Sequence, residues 1–262
     1  MNIDLIIQGP VDGKNAFLSH MDSICKQFNR VIISTWDSDD QQEWSSKLSK
    51  HNNVTIVSQE LPPRPASETG APYNGIMGGS TFYWACLSTY NGLLESTAEY
   101  IVKMRTDEYY ENFSVLKKEL RKSKNKFVFG NIFYKLLWLK RPYHIGDHIY
   151  ATRRDVILNG MQAALEYYND GNFAKETRYN VEDVDQIIHC AEIVLAHIYL
   201  IGLGVPREDW DSYVRGEGFV TFEKHFKSVD INMMGDYLAR WVAANKTFSC
   251  KENPFVRHDW DK

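Results

Sequence analysis

The strongest constraint on this chain is a rhythm: short apolar runs, Ile3–Gln8, Arg30–Thr35, Val54–Val57 and Tyr100–Met104, each end at polar or turn-forming residues. Largely apolar runs of this kind, rich in β-branched residues, read as buried strands covered on both faces; a strand with one wet face alternates instead. Between them lie segments with helical spacing. Asn15–Gln27 lines up Phe17, Leu18, Met21, Ile24 and Cys25, Asp40–Lys50 reads as a polar helix, and Ser80–Ser96 carries Phe82, Leu87, Tyr90 and Leu94 along one side. Strands alternating with helices predict an α/β fold, a mostly parallel sheet flanked by helices.

Further along, the pattern predicts a helix over Ser114–Lys122, N-capped by Ser114 or Asn112. Strands are expected at Phe127–Gly130, Ile149–Thr152 and Phe219–Phe222, and helices at Arg154–Tyr168, Val184–Leu200 and Met234–Asn245. The C-terminal part therefore reads as helical. Leu61–Gly79 interrupts the rhythm with Pro62, Pro63, Pro65, Pro72 and four glycines, which predicts a long loop: either a lid over a ligand or a plain crossover. Tyr143–Asp147 and Asn169–Tyr179 read as loops. With no internal repeat and no clear linker, 262 residues suit one domain.

Several function classes recede on composition. A net charge of −4 with no long basic stretch argues against nucleic-acid binding. No run is long and apolar enough to suggest an integral membrane segment. Met1-Asn2-Ile3-Asp4 lacks a basic leader, so the expected location is cytoplasmic. Cys25, Cys86, Cys190 and Cys250 are too scattered for a zinc or redox motif and read as reduced thiols.

In parallel α/β sheets, ligands bind beyond the carboxyl ends of strands, where strand order reverses. The residues delivered there are Gln8-Gly9-Pro10, Ser34-Thr35-Trp36-Asp37 and Arg105-Thr106-Asp107. Together they offer an aromatic ring, amides, hydroxyls, a cation and a carboxylate, the chemistry of a nucleotide pocket. Asp107 can hold Mn2+ or Mg2+ against a diphosphate, since hard cations prefer carboxylate oxygen. Arg105 can support the phosphates through charge-assisted bonds. The alternative is a structural Arg105–Asp107 pair.

Ile7-Gln8-Gly9-Pro10, Ile33-Ser34-Thr35-Trp36 and Lys103-Met104-Arg105-Thr106-Asp107 resemble the WavE family, proteins linked to lipopolysaccharide and capsular polysaccharide synthesis. Ser88-Thr89 with Gly92-Leu93, and Ile145-Gly146-Asp147-His148, extend the resemblance. It implies a GT-A-like (Rossmann-like) fold and a nucleotide-sugar-dependent glycosyltransferase, with 1–130 as nucleotide-binding part and 131–262 as acceptor-side part. A saccharide or glycolipid acceptor follows, with peripheral membrane association. The resemblance places Asp107 in a metal-binding Asp-x-Asp motif, but Arg105 stands at the first acidic position. Tyr83-Trp84-Ala85 likewise replaces a polar cluster expected before Ser88.

Inverting transfer needs a general base for the acceptor hydroxyl. Glu192, on the predicted Val184–Leu200 helix with Ile188 and Leu195 on its side, is the first candidate; the other reading is a salt pair with His189. Asp183 is the second, or else an N-cap, and Asp185 a weaker third. His225 is the leading histidine metal ligand, ahead of His258 and His148, though a lone histidine is commonly structural. Gly146 could admit an acceptor close to the backbone. The competing functions are a nucleotidyltransferase acting on sugar phosphates, for which Gln8–Lys14 is a poor phosphate loop, and a non-catalytic carbohydrate- or nucleotide-binding module.

Overall fold

A computed structural model describes residues 1–38, 40–63, 76–77, 79–131, 145–169, 189–206, 224–241 and 246–249. The N-terminal half follows the predicted rhythm: β1 (Ile3–Gln8), β2 (Val31–Trp36), β3 (Val54–Gln59) and β5 (Tyr100–Arg105). A two-residue β4 (Ile76–Met77) precedes helix α4 (Gly79–Glu95). The segment expected to form one helix over Asn15–Gln27 is instead two, α1 (Ala16–Ser19) and α2 (Met21–Cys25), broken at His20. The His20 ring stacks on Tyr109 with centroids 3.6 Å apart. The polar helix shortens to α3 (Gln41–Ser46).

Beyond β5 come β6 (Tyr109–Tyr110), α5 (Ser114–Lys122), β7 (Phe127–Gly130), β8 (Tyr150–Arg153) and α6 (Arg154–Asn169). The residue at the N-cap position of α5 is Phe113, neither Ser114 nor Asn112, although the Asn112 side chain still accepts from the Ser114 N–H at 2.8 Å. Of the predicted Val184–Leu200 helix, residues 184–188 lie outside the described residues. His189–Cys190 forms strand β9, and α7 runs Ala191–Gly202. The described part of the predicted Met234–Asn245 helix, residues 234–241, does not form it: a 3-10 turn (Ile231–Met234) leads through Gly235, at φ 75°, into strand β11 (Tyr237–Trp241), which pairs with β12 (Lys246–Ser249). Strand β10 (Phe226–Val229) precedes them. The predicted strand Phe219–Phe222, most of the Leu61–Gly79 loop and the Asn169–Tyr179 loop lie outside the described residues, apart from 61–63, 76–77, 79 and 169.

Seven strands form the main sheet in the order β3-β2-β1-β5-β8-β7-β10. Only β8 runs against its neighbours; the other pairs are parallel. The expected α/β layout, a mostly parallel sheet flanked by helices, is thus the one observed. Alternate strand residues feed two cores. Leu5, Ile7, Val31, Ile33, Val102 and Met104 pack with Phe17, Ile24, Leu116 and Leu120 on one face. Ile6, Ile101 and Phe129 pack with Cys86, Leu93, Ile157 and Ile198 on the other. Each fully buried large side chain contributes on the order of 1.5–3 kcal/mol.

Helix α4 sits unusually close to the sheet. Ser34 Oγ donates to Ser88 O at 2.6 Å, and Ser88 Oγ donates to Ser34 O at 2.7 Å. A Cβ at Gly92 would lie 2.8 Å from Ile6 Cγ2. The Ser88-Thr89 and Gly92-Leu93 motif therefore serves helix–sheet packing. A small second sheet, β12-β11-β6, lies directly after the Asp107-Glu108 turn.

Candidate functional site

Strand order reverses between β1 and β5: the chain leaves β1 toward β2 and β3, then returns to β5 on β1's other side. That crossing is the switch point where a ligand crevice is expected. Register places Gln8 level with both Ser34 and Arg105, so the strand ends singled out in the sequence are neighbours. Thr106 N donates to Gln8 O at 3.0 Å, and Gly9 N donates to Ser34 O at 3.1 Å. Gly9 has φ 127°, and a Cβ there would meet Thr106 Oγ1 at 2.8 Å. Only glycine makes this bend without strain.

The other predicted pocket residues have definite places. Thr35 is buried, and its Oγ1 accepts from the Val11 N–H at 3.1 Å, fixing the turn after β1. Trp36 is buried too, so its ring serves as wall rather than as an open stacking face. Gln8 is buried and Pro10 exposed.

At the end of β5, the Arg105 guanidinium grips Asp107 with two bonds, Nε to Oδ1 at 2.9 Å and Nη2 to Oδ2 at 2.7 Å. Both side chains are partly exposed, at 23% and 19%. Sequence reasoning missed Glu108, which is fully buried below this pair. Its Oε2 accepts from Tyr110 OH at 2.9 Å, its Oε1 pairs with His148 Nδ1, and Arg105 Nε stands 3.8 Å from Oε1. Lys103, also buried, donates to Asp147 O at 2.8 Å. The Ile145–His148 loop thus closes over the end of β5.

The charges in this cluster hold one another. Burial opposes the charged imidazole of His148, yet the Glu108 carboxylate beside it prevails and raises its pKa. Burial likewise opposes charge on Arg105, but Asp107 and Glu108 outweigh it and raise its pKa. Lys103 is pushed down, chiefly by burial. Tyr110 is pushed well up by burial and by Glu108.

Asp107 does not fit a divalent cation as it stands. Both its oxygens already accept from Arg105, position 105 is a cation rather than an acid, and Glu108 is buried against Tyr110 and His148. Among the described residues, no group of three or more His, Cys, Asp or Glu is arranged to hold a metal.

His225 does not join Asp107. It precedes β10 at the amino end, near the row of Tyr100, while Asp107 lies past the carboxyl end of β5 and three strand positions away. That separates them by roughly 20 Å, from strand rise and spacing. His148, the third histidine considered, faces Glu108 instead.

Glu192 is the second residue of α7 rather than a mid-helix residue, and His189 stands in strand β9, so the helical spacing between these two does not apply; Ile188 lies outside the described residues. The start of α7 lies on the carboxyl-end side. Its residue Tyr199 reaches Asn125 O before β7, and β9 pairs with β4 just ahead of α4. Asp183, Asp185 and His258 lie outside the described residues.

No family model matches the chain, and no curated protein sequence does. Solved structures give slight likenesses. The 4-diphosphocytidyl-2C-methyl-D-erythritol synthase of Anaerococcus prevotii shares 14% identity over 76% of this chain and 97% of its own, with a TM-score of 0.43. Glucosyl-3-phosphoglycerate synthase from Mycobacterium tuberculosis, solved with Mn2+, UDP and phosphoglyceric acid, shares 13% over 79% of this chain and 80% of its own, at 0.38. TarS 1–349 from S. aureus shares 11% over 60% of this chain and 48% of its own, at 0.40. Likenesses this slight decide neither reaction nor substrate; the strand order and register stand on their own. No helix among the described residues is long and apolar enough to cross a membrane.

Proposed function

We propose that this chain is a glycosyltransferase moving a sugar from a nucleoside diphosphate sugar to a saccharide acceptor, in surface polysaccharide or glycan synthesis. One observation carries the reading: the Gly9 bend and the Arg105–Asp107 pair meet on adjacent strands at the switch point of the sheet. A fork of N–H donors suits phosphate oxygens, and the close Gly9–Thr106 approach fixes the strand end that carries it. The resemblance to the WavE family supports the same reaction class.

In this reading Gln8, Gly9 and Pro10 form the floor of the donor pocket, with Thr35 and Trp36 as its supporting wall. Residues 1–130 bind the nucleotide, and 131–262 serve a saccharide or glycolipid acceptor, with peripheral membrane association for a lipid-linked one. Glu192 is the proposed base, with Asp183 second. The base takes the acceptor hydroxyl's proton as its oxygen bonds to the anomeric carbon. The bond from that carbon to the diphosphate breaks, and the nucleoside diphosphate leaves with the electron pair. No step runs through Mn2+ or Mg2+, since Asp107 is committed to Arg105.

The test is a nucleotide-sugar panel, read by thermal stabilisation and by nucleoside diphosphate release. The expected result is that one donor raises the melting temperature and is turned over, with turnover lost in Glu192→Gln. Pyrophosphate release from a nucleoside triphosphate plus a sugar phosphate would mean a nucleotidyltransferase. Binding with no turnover under any acceptor would mean a binding module.

A further inference from the structure

We propose that the Arg105 guanidinium itself neutralises the diphosphate at this site, with Asp107 as the residue that positions it, so that nucleotide binding does not require a divalent cation. This rests on the nucleoside diphosphate reading above and goes beyond it by replacing the metal with a side chain.

The observations are the donor counts at the strand crossing. A guanidinium carries five N–H donors. Asp107 takes one from Nε and one from Nη2, which leaves both Nη1 hydrogens and one on Nη2 without a partner among the described residues. The backbone amides nearby are committed, Thr106 N to Gln8 O and Gly9 N to Ser34 O. Lys103, the other cation of the strand, is buried and donates to Asp147 O. Arg105 is thus the partly exposed cation at this strand crossing, with Nε and Nη2 held by Asp107 and Nη1 making no bond among the described residues. A clamped fork loses less side-chain freedom on gripping phosphate, which favours binding.

Glu108 completes the device from below. It stands 3.8 Å from Arg105 Nε and is itself pinned by Tyr110 and His148. The acid that would be the metal's second ligand in an Asp-x-Asp arrangement is absent at position 105, and the cation that stands there is bonded to both oxygens of Asp107.

The experiment is calorimetric titration of UDP, GDP and CDP into the full chain, in EDTA and in MnCl2, for wild type, Arg105→Ala, Arg105→Lys and Asp107→Ala. The expected result is that whichever nucleotide binds does so with Kd within about threefold in the two buffers. Arg105→Ala weakens it roughly tenfold or more in both, the size of a lost charge-assisted bond, and Arg105→Lys falls between. Asp107→Ala, which keeps the guanidinium but unclamps it, weakens binding less than Arg105→Ala and by the same factor in both buffers; a cooperative melt of each variant shows that it is folded. Binding in Mn2+ alone, lost in EDTA and in Asp107→Ala, would overturn the inference while leaving the glycosyltransferase reading intact. No binding of any nucleotide in either buffer would overturn both.

Discussion

Replacing Gly9 with alanine tests the bend at the strand crossing. Two costs arise in the folded state. Alanine must adopt φ 127°, and its methyl must sit 2.8 Å from Thr106 Oγ1, a side chain only 2% exposed. Backbone strain of this kind costs about 1–3 kcal/mol, and overpacking a buried contact another 1–3. The sum, roughly 2–6 kcal/mol, translates to a loss of about 4–24 °C in melting temperature for a domain of this size. Calorimetric melting of Gly9→Ala measures it. Thr106→Ala in the same chain separates the two costs, because it removes the hydroxyl but not the strain. The double variant is expected to recover about half the loss. A Gly9→Ala protein melting within 1–2 °C of wild type, under about 1 kcal/mol, would refute the close approach of the two strand ends.

Other substitutions probe the supports around that crossing. Glu108→Gln leaves the His148 and Arg105 charges facing a neutral amide in a buried site, and is expected to cost about 3–5 kcal/mol in urea unfolding. Because the pKa of His148 is raised on folding, its contribution is complete below about pH 6.5, its ordinary value, and is lost as pH climbs through the raised value. Stability of wild type should therefore fall over that upper window relative to His148→Asn, which lacks the titration; parallel pH profiles would exclude the ion pair. Gly160→Ala would drive a methyl to 2.0 Å from Ile198 O, where α6 crosses α7, and is expected to cost 3 kcal/mol or more, roughly the upper end for overpacking.

The strands at the crossing were readable because burial on both faces leaves its mark in consecutive residues. Leu5, Ile6 and Ile7 feed opposite cores, so none can be polar. The strand-end residues were readable for the complementary reason: apolar runs stop where the sheet ends. Glu108 was invisible because its partners are unlike any local signal. Tyr110 is two residues on, but His148 is 40 residues away, and without it an acid after Asp107 reads as a wet turn. Tyr237–Trp241 carries helix-forming residues. It pairs with Lys246–Ser249 on one edge and with the distant two-residue strand Tyr109–Tyr110 on the other, so the decision for strand comes from these partners and from the turn at Gly235. His225 looked like a ligand only while its strand had no direction; parallel pairing with β7 sends it to the opposite end of the sheet.

A crystal structure of the chain soaked with the nucleoside diphosphate that stabilises it most would bear on the whole proposal at once. Phosphate oxygens are expected within hydrogen-bond distance of Arg105 Nη1, over the Gly9 bend, with the Arg105–Asp107 pair still closed. A diphosphate bound at the amino ends of the strands, or at any surface that leaves Arg105 untouched, would contradict it.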